Sequence, residues 1–528
     1  MGRGWITAAG AGALVGMAGA AFRAAVEIHG LAYVENGTWW LAWSVLSRPL
    51  LRAGAAGAAV ALLASVVLSA LPVARRELVR VPALRLPRAA LGILALVGVC
   101  VALEGPGERL RAQGHASVVL VSIDTLRADR LVASRMPRLH ALADEGTSFT
   151  EAVAAAPWTL PSHVSLLTSL LPFDHNVRTM RSTIPPSASM LAERFRDAGY
   201  QTAAFTGGVY VGSAFGYGQG FQLFEDHDEE KEGGSGKLFR HALDWARRTR
   251  GRPFFLFVHT YQPHLPYREA GGRSFTVAEA EESYAGKGCR TPESRAQVVA
   301  LYDADVRATD TAVGGFLEAL RGAAGLDDAV LVVLSDHGED LWDRWSSHAP
   351  GHGHAVYQEL IHVPLVVRAP GRVAAGVRLR TPVSLIDVAP TLLDLCGLPR
   401  DPAHHGRNLA NALRAGREPA TGTQLAENVE YGPERFTVRE GDLKVILADL
   451  KVLHHGMPLA ALPLEVYDLA RDPGETDPTS GRHAPGLGRA LALLGSRQRK
   501  AVGAAAVPAS ERLPEEVREQ LRSLGYVQ

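Results

Sequence analysis

Cysteine is scarce in this sequence. Only three cysteines occur among the 528 residues, at Cys100, Cys289 and Cys396, and no two of them form a CxxC pair. So few cysteines exclude a fold that depends on a framework of disulfides. Their spacing also excludes a zinc ribbon and a CxxC redox motif.

A surplus of either charge is missing as well, because Lys and Arg together number 55 and Asp and Glu together also number 55. A protein that binds nucleic acid through a broad basic surface needs a positive surplus. We therefore expect no nucleic-acid partner. We expect the protein to recognise its partners at a local site. The sequence also shows no internal repeat, which excludes a solenoid or a propeller.

Long uncharged runs, by contrast, are present near the start of the chain. Residues 4–22 and 53–74 form runs of 19 and 22 residues, which is close to the ~20 residues that a helix needs to cross a bilayer. Residues 89–103 form a shorter run that can also cross if the bilayer thins and Arg88 reaches the interface. We predict a membrane region over residues 1–104 with about three transmembrane helices.

Basic residues indicate the orientation of this region. The loop between the second and third runs contains Arg75, Arg76, Arg80, Arg85 and Arg88. Loops rich in arginine stay in the cytoplasm, so the chain after residue 104 should emerge on the other side. We expect a multi-pass protein of the inner (cytoplasmic) membrane whose catalytic domain is periplasmic or otherwise extracytoplasmic. A cleaved signal peptide is the alternative for the first run, but no clear cleavage site follows it.

Short apolar runs alternate with helical patterns after a linker at residues 105–116. The runs predict strands at 117–123, 202–205, 254–258, 330–334 and 363–367, and the helical patterns cover 136–145, 189–198, 237–248 and 297–320. This alternation is typical of an α/β fold with a mostly parallel sheet flanked by helices, which we place at residues 117–422. A polar segment at 268–294 is a candidate lid or substrate loop. Shorter strands at 435–438 and 444–447 and a helical stretch at 515–524 predict a small C-terminal subdomain over residues 423–528.

Metal-competent side chains follow three of the predicted strands. Asp124 follows the first strand, His259 the third, and Asp336 and His337 the fourth. Ligands of open α/β sheets bind beyond the carboxyl ends of the strands, so these residues are expected to converge. An aspartate after a strand is often only a turn or helix cap, but three such strand ends together favour a site. Carboxylates and an imidazole suit a divalent cation such as Ca²⁺, Mg²⁺, Mn²⁺ or Zn²⁺.

Thr159 occupies the start of a predicted helix, within the segment PWTLPSH at residues 157–163. Pro161 is favoured in a first helical turn, and the N-terminus of a helix offers free N–H groups and a positive dipole end to an anion. The Thr159 hydroxyl is thus a candidate nucleophile toward a phosphoryl or sulfuryl group. The alternative is that Thr159 is only the N-cap of the helix.

Four histidines lie close together after Asp336, at His348, His352, His354 and His362. Such a cluster can supply a further metal ligand or a general acid. In a loop rich in Gly and Pro, most of them would instead be solvated or bonded to the backbone. We expect one or two of them to be functional.

Six segments together resemble the sulfatase family, which is part of the alkaline-phosphatase superfamily. They are VSIDTLRADRL at 121–131, PWTLPSHVSLLTSLLP at 157–172, HTYQPHLPY at 259–267, SDHGE at 335–339, YQELIHVP at 357–364 and VYDLARDP at 466–473. The similarity extends over about residues 117–527 and implies a sulfatase-like fold. It also implies a metal-dependent hydrolase that acts on sulfate or phosphate esters, with glycans or lipids among the candidate substrates.

The resemblance assigns roles by position. It implies metal binding by Asp124, Thr159, Asp336 and His337, and catalysis by Thr159 as nucleophile with help from His163, His264 and His354. His264 or His354 would protonate the leaving alcohol. It also implies substrate binding by His259 and His352.

Three features depart from the family pattern. Thr159 stands where sulfatases carry the Cys or Ser that becomes formylglycine, so no formylglycine can form. Thr125 replaces one of two paired aspartates, and Gly353 lies where an active-site lysine is expected. Two alternatives therefore stay open. One is an envelope phospho-head-group transferase similar to lipoteichoic acid synthases and lipid A phosphoethanolamine transferases. The other is an inactive member that binds sulfated or phosphorylated glycans.

Overall fold

The computed structural model of the protein describes residues 115–249, 251–268, 272–284, 288–289, 291–324, 326–344, 350–454 and 463–503. The predicted membrane region at 1–104, nearly all of the linker and the helical stretch at 515–524 lie outside these residues. His348 also lies outside them. Within the described ranges, no helix is both long enough and apolar enough to cross a membrane.

Nine strands of the described chain form one large sheet. They are β1 (Val118–Ile123), β2 (Thr147–Val153), β3 (Gln201–Gly207), β4 (Leu223–His227), β5 (Phe254–Thr260), β8 (Val330–Ser335), β9 (His362–Arg368), β10 (Val377–Leu379) and β11 (Val383–Ser384). Their order is β10-β2-β9-β8-β1-β5-β3-β4, with β11 also paired to β2. β9 runs antiparallel to both its neighbours while the other pairs are parallel. The predicted mostly parallel sheet is therefore confirmed.

Burial on both faces explains why the central strands are continuous apolar runs. Val118 and Leu120 of β1 pack into one hydrophobic cluster, whereas Val119, Val121 and Ile123 pack into a second cluster on the opposite face. Successive side chains of a strand point to opposite faces, so every position must be apolar when helices cover both. This pattern allows the central strands to be recognised from the sequence.

Helices flank the large sheet, as predicted. They are α1 (Pro137–Asp144), α2 (Thr159–Thr168), α3 (Pro172–His175), α4 (Leu191–Asp197), α5 (Glu229–Glu232), α6 (Gly236–Arg248), α7 (Val277–Tyr284), α8 (Pro292–Ala324), α9 (Gln358–Ile361), α10 (Val388–Leu395) and α11 (Ala410–Ala415). The candidate lid segment at 268–294 contains α7 and most of a small hairpin, in which β6 (Tyr267–Arg268) pairs with β7 (Ser274–Phe275). Helix α8 begins five residues before the predicted start at 297, because Pro292 suits the first position of a helix.

A second, antiparallel sheet follows the large one. Its strands, in order, are β12 (Thr423–Glu427), β13 (Gly432–Glu440), β14 (Leu443–His454) and β15 (Leu464–Asp468). The closing helix α12 (Leu487–Gly503) buries Ala490 and Leu494 in a small core with Phe436 and Val438 of β13. The segment between β12 and β13 also contacts the start of α2. The indole N–H of Trp158, the residue before this helix, donates to the carbonyl of Asn428 at 2.9 Å.

Candidate active site

Three neighbouring strands bring the predicted metal-competent residues to one edge of the large sheet. β1 lies between β8 and β5, and Ile123 is in register with Ser335 on one side and Thr260 on the other. The next residues along β1 and β8, Asp124 and Asp336, are therefore neighbours just beyond the ends of their strands. Both are completely buried. The structure thus brings together the side chains that the sequence placed at strand ends.

Asp124 and Asp336 form a buried acid pair around His337. The Nε2 atom of His337 lies 3.6 Å from Oδ1 of Asp124 and 3.4 Å from Oδ2 of Asp336. Burial raises the pKa of both carboxyl groups, and the charge of Asp124 raises the pKa of Asp336 further. Burial also lowers the pKa of His337. Two carboxylates in a dry interior are costly without a positive partner, so this arrangement calls for a cation.

The donor atoms of this cluster fit a divalent metal ion. Both carboxylate oxygens of Asp124 and Oδ2 of Asp336 are buried and have no hydrogen-bond partner among the described residues. Nδ1 of His337 donates to the carbonyl of Gly338 at 2.9 Å, which directs the lone pair of Nε2 toward the acid pair. The ligand atoms of the three side chains all lie within 4.8 Å of one another. Hard oxygen donors with one imidazole suit the cations expected from the sequence.

Thr159 is the first residue of α2, and Trp158 is the N-cap in an extended conformation. The Thr159 side chain does not cap the helix: its Oγ1 lies 3.2 Å from Nε2 of His337. The hydroxyl therefore sits between the start of the helix and the acid pair. The N-cap of α2 is Trp158, so the alternative of Thr159 as a simple cap is wrong, and the roles of nucleophile and metal ligand stay predictions.

His163 lies one helical turn after Thr159, beneath the site and fully buried. Its Nδ1 donates to the carbonyl of Thr159 at 3.0 Å, and its Nε2 accepts from Oγ of Ser122 at 2.9 Å. Burial lowers the pKa of its imidazole, and the neighbouring His259 lowers it further. Nδ1 of His163 also lies 3.4 Å from Oδ2 of Asp336, and His163, His259 and Asp336 form a second group that could hold a metal ion. The ester-binding or proton-transferring role of His163 stays a prediction.

His259 lies near the end of β5, on the other side of Asp124. Its Nδ1 donates to the carbonyl of Gly207 at 2.7 Å, and its Nε2 lies 3.3 Å from Oδ2 of Asp124. Burial lowers the pKa of His259 to about 4, so the imidazole is neutral at pH 7 and its Nε2 offers a lone pair. This arrangement suits a metal ligand as well as the substrate contact expected from the sequence.

His352 and His264 form the outer wall of the site. The ring centroids of His352 and His337 are 4.4 Å apart, and those of His352 and His264 are 4.9 Å apart. Nδ1 of His264 donates to the carbonyl of Leu265 at 2.6 Å, and Nε2 contacts the hydroxyl of Tyr261 at 3.2 Å. Burial lowers the pKa of His264. The structure thus places both predicted histidines beside the candidate metal ligands.

Glu339 is a site residue that the sequence analysis did not assign. Its Oε1 accepts a hydrogen bond from Nδ1 of His352 at 2.9 Å, and its Oε2 accepts one from the hydroxyl of Tyr267 at 2.8 Å. Glu339 therefore fixes the ring of His352 and directs Nε2 of that ring away from the carboxylate. The available signal was an acidic residue two positions after His337, inside a segment that already resembled the family.

The remaining histidines of the sequence cluster have other partners. Nε2 of His354 donates to Oδ2 of Asp340 at 3.2 Å, and its carbonyl accepts from the guanidinium of Arg435. His362 begins β9, and its Nε2 donates to the carbonyl of Thr150 at 2.7 Å. His354 thus links the segment between β8 and β9 to β13 of the second sheet. His362 stabilises the pairing of β9 with β2.

Glu229 is a second residue that the sequence analysis missed. Its carboxylate accepts from the Thr260 hydroxyl at 3.1 Å and from the Tyr261 N–H at 3.0 Å. Burial raises the pKa of Glu229 to about 7. A Cβ atom at Gly207 would lie 1.9 Å from this carboxylate, so only glycine allows the approach. Glu229 therefore fixes the end of β5 next to His259.

A small pocket opens in front of Thr159. It is lined by Trp158, Thr159, Met180, Tyr210, His352, Glu430 and Tyr431. Glu430 and Tyr431 precede β13, and their N–H groups both donate to the carbonyl of Gly353, at 2.6 and 2.9 Å. Gly353 has a φ of 79°, and an added Cβ atom would lie 3.2 Å from Cβ of Glu430. Close packing against the second sheet thus explains glycine where the family pattern has lysine.

Comparison with known proteins agrees with this architecture. A profile of the sulfatase family matches residues 116–398, and one described as N-sulphoglucosamine sulphohydrolase, C-terminal, matches residues 352–484. The chain is 25% identical to the choline-sulfatase of Rhizobium meliloti (strain 1021) over 441 residues, 68% of this chain and 83% of that protein. It is 30% identical to arylsulfatase K of Danio rerio over 205 residues, 32% of this chain and 38% of that protein.

An ulvan-active sulfatase of Formosa agariphila is 26% identical over 56% of this chain and 63% of its own length. The chain therefore spans less than two thirds of some of these relatives. Among solved structures, a protein in complex with its substrate D-glucosamine-2-N,6-O-disulfate superposes with a TM-score of 0.59 at 18% identity, covering 75% of this chain and 100% of the other.

A phosphonate monoester hydrolase from Silicibacter pomeroyi superposes with a TM-score of 0.58 at 20% identity, covering 73% of this chain and 95% of the other. At such identities the likeness shows the fold alone. The sulfatase profile, however, covers more than half of the chain and includes the strand ends and the helix start that build the site. This chain belongs to the sulfatase family.

Proposed function

We propose that this protein hydrolyses sulfate or phosphate esters with Thr159 as nucleophile, aided by a divalent cation held by Asp124, Asp336 and His337. The observation that carries the proposal is the 3.2 Å contact between Oγ1 of Thr159 and Nε2 of His337, at a helix N-terminus beside two buried carboxylates. The names of the relatives support sulfate esters as substrates. The domain limits predicted from the sequence and the extracytoplasmic location are part of the same proposal.

In this mechanism Thr159 gives its hydroxyl proton to solvent and its oxygen bonds to sulfur or phosphorus. The bond from that atom to the ester oxygen breaks, and the ester oxygen leaves as an alcohol after it takes up a proton. The start of α2 would offer N–H groups and the positive end of the helix dipole to the anionic group and stabilise its charge. The bound cation would supply the positive charge that lowers the pKa of the Thr159 hydroxyl and offsets the charge of the ester oxygens. His352, oriented by Glu339, is the candidate donor of a proton to the leaving oxygen, with His264 adjacent to it.

Turnover requires a second attack on the threonine ester. A formylglycine sulfatase releases sulfate by collapse of a hydrated aldehyde, and a threonine ester has no such exit. Water must therefore attack sulfur or phosphorus and release Oγ of Thr159. Phosphoryl transfer suits this route, so we expect phosphate esters to be turned over in preference to aryl sulfates. An acceptor alcohol in place of water would make the protein a transferase.

The pocket in front of Thr159 indicates the kind of alcohol that the substrate carries. Trp158 and Tyr210 meet edge to face, with ring centroids 5.9 Å apart, and Glu430 contributes a carboxylate. Aromatic faces and a carboxylate attract a cationic group and repel an anionic one. We therefore favour a small uncharged or cationic alcohol over a highly sulfated glycan.

The test is turnover by the purified full chain loaded with each candidate cation. The panel is 4-nitrophenyl sulfate, 4-nitrophenyl phosphate and bis(4-nitrophenyl) phosphate. Thr159→Ala should lose several orders of magnitude in kcat, because only positioning and electrostatic stabilisation remain. Thr159→Ser should keep part of the rate. Thr168→Ala, at the other end of α2, is the matched control and should keep wild-type rates. Equal rates for Thr159→Ala and wild type would refute the mechanism.

A further inference from the structure

A second cluster of metal-competent side chains lies at the edge of the large sheet, away from the acid pair. Glu225 and His227 are two residues apart on the edge strand β4, and His241 lies on the neighbouring helix α6. Residues two apart on a strand share one face of the sheet. The helix packs against that face, so the three side chains meet. In the sheet, β3 separates β4 from β5, the nearest strand of the catalytic site.

The geometry of this cluster is that of a small coordination site. Oε2 of Glu225 lies 2.9 Å from Nδ1 of His241 and 3.6 Å from Nε2 of His227. One ligand atom from each of the three residues lies within 4.8 Å of the others. The two imidazole rings meet edge to face, with centroids 5.2 Å apart. Ligand atoms of one tetrahedral ion, each at ~2.0–2.2 Å from it, are separated by distances in this range.

The buried His227 indicates that the cluster is more than a surface hydrogen bond. The residue is 5% exposed, and its Nε2 is buried without a hydrogen-bond partner among the described residues. Its Nδ1 donates to Oε2 of Glu232 at 3.0 Å, and Glu232 is held by Nζ of Lys237 at 2.7 Å. This chain of contacts fixes the tautomer with a lone pair on Nε2, in the manner of the carboxylate–histidine pairs behind metal ligands.

A cluster without an ion would explain only part of this arrangement. The contact between His241 and Glu225 satisfies both of those side chains, but it leaves Nε2 of His227 buried and unbonded. Leaving such an atom without a partner destabilises the folded state. An ion at the point where the three ligand atoms converge would satisfy all of them.

We propose that Glu225, His227 and His241 bind a Zn²⁺ ion that links the edge strand β4 to α6. Two imidazoles and one carboxylate are ligands that zinc favours. The exposed side of the cluster, formed by Glu225 and His241, leaves room for water as a fourth ligand. This site is separate from the catalytic cation and does not depend on the proposed esterase activity. Its expected role is to stabilise the sheet edge, because an ion that binds only the folded state shifts unfolding to higher temperature.

The test is zinc binding by the purified full chain after chelation, with Zn²⁺ alone as the probe. His241→Ala removes a half-exposed ligand and should lower the bound zinc by one equivalent per chain and reduce, relative to wild type, the rise in Tm that zinc produces. Glu232→Gln leaves the three proposed ligands in place but weakens the partner of His227, and it should lower the zinc affinity of this site by about 10–100-fold. His140→Ala is the matched control, since His140 forms a surface pair with Asp144 and lacks a third ligand in the described metal-competent groups.

The outcomes separate this site from the catalytic one. In the Co²⁺-substituted protein, His241→Ala should lose the spectrum of one tetrahedral ion while Asp336→Asn keeps it. The proposal is overturned if His241→Ala and wild type bind equal zinc, or if His140→Ala loses as much as His241→Ala. Loss of esterase activity alone in any variant would concern the proposed function and would leave the zinc result to decide this inference.

Discussion

At the scale of single residues, the proposed catalysis depends on two buried carboxylates, Asp124 and Asp336, that lie close together with no positively charged side chain of the described residues between them. Burial raises the pKa of Asp124 and Asp336, and a bound cation would reverse that shift by favouring the charged forms. The sequence predicted this convergence because parallel strands place their carboxyl ends at one edge of a sheet. It could not predict that both nitrogen atoms of His163 are engaged, since that depends on Ser122 of another element.

Metal content should respond directly to these carboxylates. Asp124→Asn or Asp336→Asn removes a charged ligand that no other described side chain replaces, so each should lose the catalytic cation and all measurable turnover. Elemental analysis of the purified variants, beside Asp340→Asn as a control near the site, gives the answer. Unchanged catalytic metal in both variants would show that the assigned ligands are wrong.

Glu339 offers a test of positioning. Glu339→Gln keeps the size of the side chain but weakens its hold on His352 and Tyr267. We expect kcat to fall by about 10–100-fold, as for the loss of a partner that orients a functional histidine. Cation content should stay the same, which separates a loss of positioning from a loss of the metal. A variant with wild-type kcat would contradict the catalytic role of His352.

At the scale of elements, the sequence predicted strands that are buried on both faces and missed those that are not. β1, β5 and β8 are continuous apolar runs, so the prediction succeeded there. β2 has the sequence TSFTEAV, and two of its seven positions are not buried. Its pairing with β9 is also irregular between Phe149 and Ala152. Such a strand cannot be recognised from the local pattern, because it contains polar residues and its antiparallel partner β9 lies far away in the sequence.

Helix α3 provides a test of acid stability. His175 is buried there; the N–H of Val177 donates to its Nδ1 at 3.0 Å, and its Nε2 donates to Ser165 at 3.1 Å. Burial lowers the pKa of His175 from 6.5 to about 3. Below pH 6.5 the unfolded chain therefore binds a proton that the folded state excludes, and stability is lost as the pH falls toward 3.

At pH 5 this histidine should lower the free energy of unfolding by about 2 kcal/mol relative to its value at pH 7.5. His175→Asn should be less stable than wild type at pH 7.5 but should lose less stability on acidification. Denaturant unfolding of both proteins at pH 7.5, 6 and 5 measures the difference. Parallel pH curves for wild type and His175→Asn would contradict the burial argument.

At the scale of the whole molecule, the described chain joins a large α/β unit and a smaller antiparallel sheet around one pocket. Trp158 and Thr159 come from the first, and Glu430 and Tyr431 precede a strand of the second. The sequence predicted both sheets and the place of Thr159 at the start of a helix, and its motifs predicted the family. It could not predict the pocket, because Gly353 and Glu430 meet only when the two sheets pack together.

The membrane proposal rests on the arginine-rich loop between residues 75 and 88. A periplasmic reporter such as alkaline phosphatase, fused after Gly107, should be active, whereas the same reporter fused after Leu84 should be inactive. A cytoplasmic reporter at the same two positions should give the reverse pattern. Cytoplasmic activity after Gly107 would overturn both the orientation and the extracytoplasmic location.

The most direct test of the central claim is a search for the covalent intermediate on Thr159. The full chain, loaded with its cation, is mixed with excess 4-nitrophenyl phosphate or sulfate, quenched in acid during turnover, digested and examined by mass spectrometry. The account predicts one phosphoryl or sulfuryl group on the peptide that contains Thr159, at the Thr159 oxygen, and none in Thr159→Ala. Continued turnover by Thr159→Ala, with no adduct on the wild-type peptide, would contradict it.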